Sequence, residues 1–97
     1  MKREKIKLKY LMGIWKHLPN YPTSDDMIYE ITNYLIKDGR PNGEFTFQTL
    51  NSVFGKGWEK TEAYQKITQM IESGEISRSE KKDNGKEWYK ITENPYY

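Results

Sequence analysis

A chain of 97 residues is long enough for one domain with a modest core and too short for two. It has no cysteine and one histidine, which excludes a disulfide framework, a cysteine nucleophile and a metal site built on cysteines or several histidines. The net charge is +2, and no apolar run approaches the roughly 18 residues of a membrane span. We therefore expect a cytoplasmic protein that is not an enzyme, carries no metal or other cofactor, and has no membrane partner.

The positive charge is concentrated at the N-terminus. Residues 1–18 carry six bases and one acid, whereas residues 19–74 carry five bases and eight acids. Apolar residues at helical spacing predict a basic amphipathic helix over residues 3–18, within an N-terminal segment 1–18 that precedes the main domain. The bases that are candidate phosphate contacts are Lys2, Arg3, Lys5 and Lys9. The apolar side is expected to pack on the domain or to pair with a second subunit, and it holds Leu11, Ile14, Trp15 and Leu18.

A second helix is predicted over about residues 24–38. Thr23 or Ser24 can cap its first N–H groups, and the two aspartates that follow oppose the helix dipole. Gly39 suits the position just after a helix end, and the proline at position 41 prevents continuation.

The middle of the chain predicts a short strand and two more helices. Residues 43–45 form the extended piece, and Thr46 caps a short helix whose inward face includes Leu50. Gly55-Lys56-Gly57 breaks that helix, and a further helix is predicted over about 60–73. Trp58 is expected to fix the intervening turn by packing.

The last part of the chain predicts a β-hairpin. Residues 75–80 and 86–92 are the strands, and Asn84-Gly85 is a favoured pair for a two-residue turn. Strand alternation places Tyr89 and Ile91 on the core face and Trp88 and Lys90 on the other. The tail comprises residues 93–97, of which 94–97 are expected to fray.

This order of elements resembles the winged-helix superfamily over residues 24–92. Two central helices joined by a glycine turn are typical of a helix-turn-helix, and the hairpin corresponds to the wing. The expected fold is therefore α+β, a winged helix-turn-helix with an additional N-terminal helix and a C-terminal β-hairpin wing. Because the superfamily also includes protein-interaction modules, the fold alone does not establish DNA binding.

A narrower resemblance lies within residues 44–92. It is carried by Glu-Phe-Thr-Phe-Gln-Thr-Leu-Asn-Ser-Val-Phe at 44–54, Trp58, Ser73-Gly74-Glu75-Ile76, and Lys-Asp-Asn-Gly-Lys-Glu-Trp-Tyr-Lys at 82–90. These segments resemble small winged-helix proteins encoded by cassette-chromosome elements and phages of low-GC Gram-positive bacteria. That family includes a protein that binds single-stranded DNA, so the resemblance implies a role in mobile-element replication.

The wing holds the strongest candidates for a nucleic-acid site. Its bases are Arg78, Lys81, Lys82, Lys86 and Lys90. Lysines on a hairpin contact phosphates without sequence preference, and an outward Trp88 beside Lys90 would let an unpaired base stack. The alternatives are that these lysines only discourage edge pairing between molecules, and that Trp88 packs on Trp15 or Leu11.

The helix over 60–73 would be the recognition helix of a duplex-binding protein. Its candidate contacts are Lys60, Gln65, Lys66 and Gln69. Three glutamates outnumber the two lysines of this region, which is a poor match to the phosphates that border a DNA groove. We therefore expect single-stranded DNA to be favoured over duplex. The alternatives are a sequence-specific duplex regulator and a protein-interaction module that binds a replication-protein partner.

Overall fold

The chain has an α+β structure in the computed structural model, which describes residues 8–39, 43–83 and 85–94. The described helices are α1 (Leu8–Leu11), α2 (Ser24–Lys37), α3 (Phe47–Phe54) and α4 (Glu62–Ser73), with short 3-10 turns at Trp15–His17 and Trp58–Lys60. The described strands are β1 (Glu44–Phe45), β2 (Ile76–Asp83) and β3 (Lys86–Ile91), which form an antiparallel sheet in the order β1-β3-β2. The predicted α+β class is confirmed, and three main helices with this small sheet are compatible with a winged-helix-like arrangement.

Side-chain caps fix where α2 and α3 begin. The Thr23 hydroxyl accepts from the Asp26 N–H at 3.2 Å, and the Asp26 carboxylate accepts from the Thr23 N–H at 2.9 Å. Thr46 and Thr49 form the same reciprocal pair at the start of α3. Each pair satisfies two N–H groups that a helix start leaves open, which explains why both predicted starts are confirmed. Helix α4 begins at Glu62 rather than near residue 60, because Trp58–Lys60 forms a 3-10 turn.

The core lies between the helices and one face of the sheet. Its fully buried side chains include Met27, Ile31, Leu35, Phe45, Leu50, Trp58, Ile67, Met70 and Ile76. The predicted role of Trp58 is confirmed, because its ring packs against Phe47, Phe54 and Tyr64 beside the turn that joins α3 to α4. No helix within the described residues is long and apolar enough to cross a membrane.

The single helix predicted over residues 3–18 is wrong. Helix α1 ends at Leu11, and Gly13 adopts a φ of +70°, which interrupts the helical path before the 3-10 turn begins at Trp15. Residues 1–7 lie outside the described part of the chain. The segment is fixed by two aromatic side chains instead of an apolar stripe: Tyr10 is stacked on Tyr29, and Trp15 contacts both of these rings edge-on.

The apolar side predicted for this segment does not pack on the domain as a whole, while its alternative role, pairing with a second subunit, stays a prediction. Of the four expected residues only Trp15 is buried, whereas Leu11 is 73% exposed. Ile14 and Leu18 are also exposed, and so is Met12. The break at Gly13 accounts for the difference, because residues on its two sides no longer share one helical face.

A buried hydrogen bond joins this segment to α2. The Tyr10 hydroxyl donates to Asp26 Oδ1 at 2.8 Å, and Asp26 is 1% exposed. We expect Tyr10→Phe to lower the free energy of unfolding by about 1–3 kcal/mol, because a buried carboxylate loses a donor. Urea unfolding followed by circular dichroism measures this loss. Tyr34→Phe is the control, since the Tyr34 hydroxyl makes no hydrogen bond within the described residues; equal losses for both variants would contradict the expectation.

At the other end of the chain, the tail is partly fixed. Asn94 donates a hydrogen bond from Nδ2 to Thr32 Oγ1 at 2.7 Å, which holds this residue against α2. The expectation of a frayed tail therefore fails at Asn94, while residues 95–97 lie outside the described chain.

Candidate nucleic-acid interface

The hairpin is longer than the sequence predicts. Strand β2 continues to Asp83 and β3 starts at Lys86, so only two residues connect them, and Gly85 has a φ of +77°. The predicted two-residue connection is confirmed in its length, while Asn84 itself lies outside the described residues. The predicted end of the first strand at residue 80 is wrong. The backbone of Lys81 and Lys82 belongs to strand β2 and not to the loop, and the structure does not describe their side chains.

The two faces of β3 follow the predicted alternation. Tyr89 and Ile91 are buried against the core, whereas Trp88 and Lys90 project from the opposite face. Lys90 is exposed and Trp88 is half-buried. The structure places Trp88 near the start of α3, while Trp15 contacts Tyr10, Tyr21 and Tyr29. The sheet register explains the placement of Trp88, since Phe45 pairs with Tyr89 and the chain then turns into α3 beside Trp88.

A small open cavity, the Trp88 cavity, lies on this face of the wing. It has a volume of about 270 Å³ and is lined by Tyr34, Thr46, Gln48, Thr49, Ser52, Lys86 and Trp88. Cofactor and drug pockets usually span about 300–1,000 Å³, so this cavity is smaller than most of them. Lys86 Nζ donates to Gln48 Oε1 at 3.3 Å, which holds a cation and an amide beside the indole.

The basic side chains of the wing differ in whether a carboxylate already pairs with them. Arg78 forms an ion pair with Glu87 at 3.6 Å, and the same carboxylate accepts from the Tyr89 hydroxyl at 2.8 Å. Burial and this hydrogen bond raise the pKa of Tyr89, which keeps its hydroxyl protonated as a donor. Arg78 is therefore already paired with a carboxylate of the wing. Lys86 and Lys90 are exposed too, and neither forms an ion pair within the part of the chain whose side chains are described.

The recognition-helix candidates lie apart from this cavity. Gln65 and Gln69 are exposed one turn apart on α4, Lys66 is half-buried, and Lys60 is exposed in the preceding 3-10 turn. Their glutamate neighbours Glu59, Glu62 and Glu72 are exposed as well. Gln65 and Gln69 therefore lie on the outward face of the helix, as predicted, whereas Lys66 is only partly accessible. None of the four candidates is among the residues that line the Trp88 cavity.

No contact within the described residues joins the basic residues of the N-terminal segment to the wing. Lys2, Arg3 and Lys5 lie outside the described residues, and Lys9 is described only as part of the α1 backbone. The N-terminal base with a defined contact is Lys16, whose Nζ lies 3.3 Å from Glu30 Oε1 and 5.1 Å from the centre of the Trp15 ring. That lysine is therefore largely neutralised.

The cavity also contains residues that the sequence did not mark as functional. The sequence pattern predicts Tyr34 to be a core residue of α2, and it marks Gln48 only as a residue in the first turn of α3. No local pattern could single them out, because they reach the wing only through the pairing of β1 with β3 and the packing of α2 on α3. Among the described residues, no group of three potential metal ligands is present.

Comparison of the chain with protein-family models, with curated proteins and with solved structures finds no match. The function is therefore inferred from the geometry of the site.

Proposed function

We propose that this chain is a winged-helix protein that binds DNA and favours single-stranded DNA over duplex. Support for the fold comes from the order helix, strand, two helices and hairpin, and from a sheet in which the last strand lies between the other two. In this proposal α3 and α4 are the helix-turn-helix, and β2 and β3 are the wing.

One observation carries the functional part of the proposal. Trp88 lies half-buried on the outer face of the wing, and Lys86 and Gln48 line the same small cavity. An indole supplies a surface for base stacking whatever the sequence, and a lysine supplies a cation for the neighbouring phosphate. These are the components of a site that binds an unpaired strand without reading its sequence.

The charge of α4 supports the preference for a single strand. A duplex reader places its recognition helix between two rows of phosphates, and contacts to those phosphates dominate affinity. The exposed surface near the start and end of α4 carries three glutamates and only partly balancing lysines. The wing can bind a single strand without bringing this acidic surface close to DNA.

A duplex regulator remains the second candidate because Gln65 and Gln69 are exposed one turn apart on α4. Glutamine reads the adenine edge in the major groove, so these two side chains have the chemistry for base recognition. This candidate requires a defined sequence preference, which the first candidate does not.

Fluorescence anisotropy with labelled 30-mers, single-stranded and duplex, tests the proposal. We expect the single strand to bind more tightly than the duplex, and its affinity to fall between about 50 and 200 mM salt as phosphate contacts are screened. Quenching of tryptophan emission on binding would support stacking. Preference for one duplex sequence would favour the regulator, and absence of binding at low salt would overturn both DNA candidates.

A further inference from the structure

The Trp88 cavity adjoins further cavities on the same side of the molecule. A second cavity of about 450 Å³ shares Tyr34 and Ser52 with it, and a third of about 400 Å³ shares Lys16, Glu30 and Val53 with the second. The shared residues place the three cavities side by side along α2 and α3. We call this row of cavities the α2–α3 groove.

Tyr34 stands where the first two cavities meet. It is half-buried and packs partly against the core. Within the described residues, its ring makes no contact with another aromatic ring and its hydroxyl makes no hydrogen bond. Packing therefore leaves part of an aromatic ring, and a polar group, open to the groove.

A lysine lies on each side of this tyrosine. Lys86 lines the first cavity, and Lys37 lines the second. Lys37 is exposed and forms no ion pair within the described part of the chain. The next cation along the groove is Lys16, but Glu30 neutralises it at 3.3 Å.

The far end of the groove is less suited to phosphate. Burial raises the pKa of Glu30, and the nearby Lys16 ammonium opposes that rise. Glu62 adds a second carboxyl group to the third cavity, and the paired Lys16 is the cation among its described lining residues. The favourable part of the groove for a polyanion therefore comprises the first cavity and the part of the second that Tyr34 and Lys37 line, before the Lys16–Glu30 pair.

From this arrangement we infer that an unpaired DNA strand continues from the wing along the α2–α3 groove, with Tyr34 as a second stacking surface between Lys86 and Lys37. The inference rests on the proposed binding of single-stranded DNA and adds its path. Trp88 binds one base, Tyr34 stacks on a neighbouring base, and Lys37 contacts the following phosphate. The strand ends before the Lys16–Glu30 pair.

Anisotropy with labelled dT3 and dT12 on the full chain tests this path. We expect Tyr34→Leu and Lys37→Gln each to weaken dT12 binding, Tyr34→Leu by about fivefold or more, because a stacked base is lost. Binding of dT3, which can remain at Trp88, should change much less. Tyr34→Phe keeps the ring and should retain dT12 binding, and Lys56→Gln is the matched control for loss of one exposed lysine outside the groove.

Photo-crosslinking gives a direct readout. A dT12 in which one thymine is replaced by 5-iodouracil should crosslink to Tyr34 from one position of the strand and to Trp88 from another, as identified by mass spectrometry of the peptides. Thermal unfolding of each variant verifies that it is folded.

The outcomes separate the path from the function. If the wild type binds dT12 but Tyr34→Leu and Lys37→Gln bind it equally well, the path is overturned while the proposed function stands. If the wild type binds no single-stranded DNA, both are overturned. If a polyglutamate peptide binds and dT12 does not, the groove is a site for acidic peptides, and the inference is again overturned.

Discussion

Replacing Trp88 and Lys82 together by alanine should weaken the binding of single-stranded DNA at least about tenfold. The indole is the stacking surface of the Trp88 cavity, and a stacked base contributes about 1–3 kcal/mol, which at its midpoint already exceeds one factor of ten. The backbone of Lys82 pairs with that of Glu87 near the tip of the wing, and a lysine on a hairpin can contact phosphate without reading the sequence. Anisotropy titration of the double variant against the wild type measures the loss.

Conservative variants of the same residues distinguish chemistry from folding. Trp88→Phe with Lys82→Arg keeps an aromatic ring and a positive charge, so it should retain most of the affinity. Lys56→Ala removes an exposed lysine from the turn between α3 and α4 and should have little effect. Unchanged affinity in the double alanine variant, with its melting temperature also unchanged, would remove the wing from the site.

Trp58→Ala should give the largest loss of stability in the chain, about 3–5 kcal/mol in the free energy of unfolding. Trp58 is 1% exposed and packs against Phe47, Phe54 and Tyr64. Truncation would leave a cavity where α3, the connecting turn and α4 meet. Urea unfolding followed by the helical circular dichroism signal measures this loss without relying on tryptophan emission.

Trp58→Phe should cost much less than Trp58→Ala. The indole Nε1 of Trp58 is buried and has no hydrogen-bond partner within the described residues, so the smaller ring also removes an unsatisfied donor. That gain offsets part of the lost packing. A loss for Trp58→Phe as large as that for Trp58→Ala would show that the donor is satisfied in solution and that the packing of the full indole dominates.

Local signals in the sequence were sufficient for most of the fold. Thr23 and Thr46 predicted the starts of α2 and α3 because a capping side chain acts on neighbouring N–H groups. The alternation of apolar and polar side chains around Tyr89 likewise predicts the inward face of β3. Successive side chains of a strand point to opposite faces, so this prediction needs no information from other parts of the chain. The sequence does not indicate the break at Gly13, because the apolar residues before and after this glycine keep the spacing of one continuous helix.

The candidate site was less accessible to sequence reasoning. The sequence indicates Trp88 and the wing lysines as candidates, because aromatic and basic residues beside a hairpin turn have a known use in binding nucleic acid. It does not indicate Tyr34 or Gln48, since each has an ordinary role within its own helix. Only the tertiary contacts of α2, α3 and β3 bring them to one cavity, and these contacts leave no periodic trace in the sequence.

The irregular register of the hairpin affects how the wing can change in length. Arg78 pairs with Tyr89, but Lys82 pairs with Glu87, so β2 advances four residues while β3 advances two. Side chains of a strand point to the two faces of the sheet in turn. Because β2 has two extra residues here, the residues before and after the irregularity still point to the faces that a regular strand would give them. Insertions or deletions of two residues here preserve the face that each flanking residue occupies, whereas a change of one residue exchanges the faces. The reach of the wing can therefore be altered, by evolution or by engineering, in steps of two residues without disturbing the hydrophobic pairing of Ile76 with Ile91.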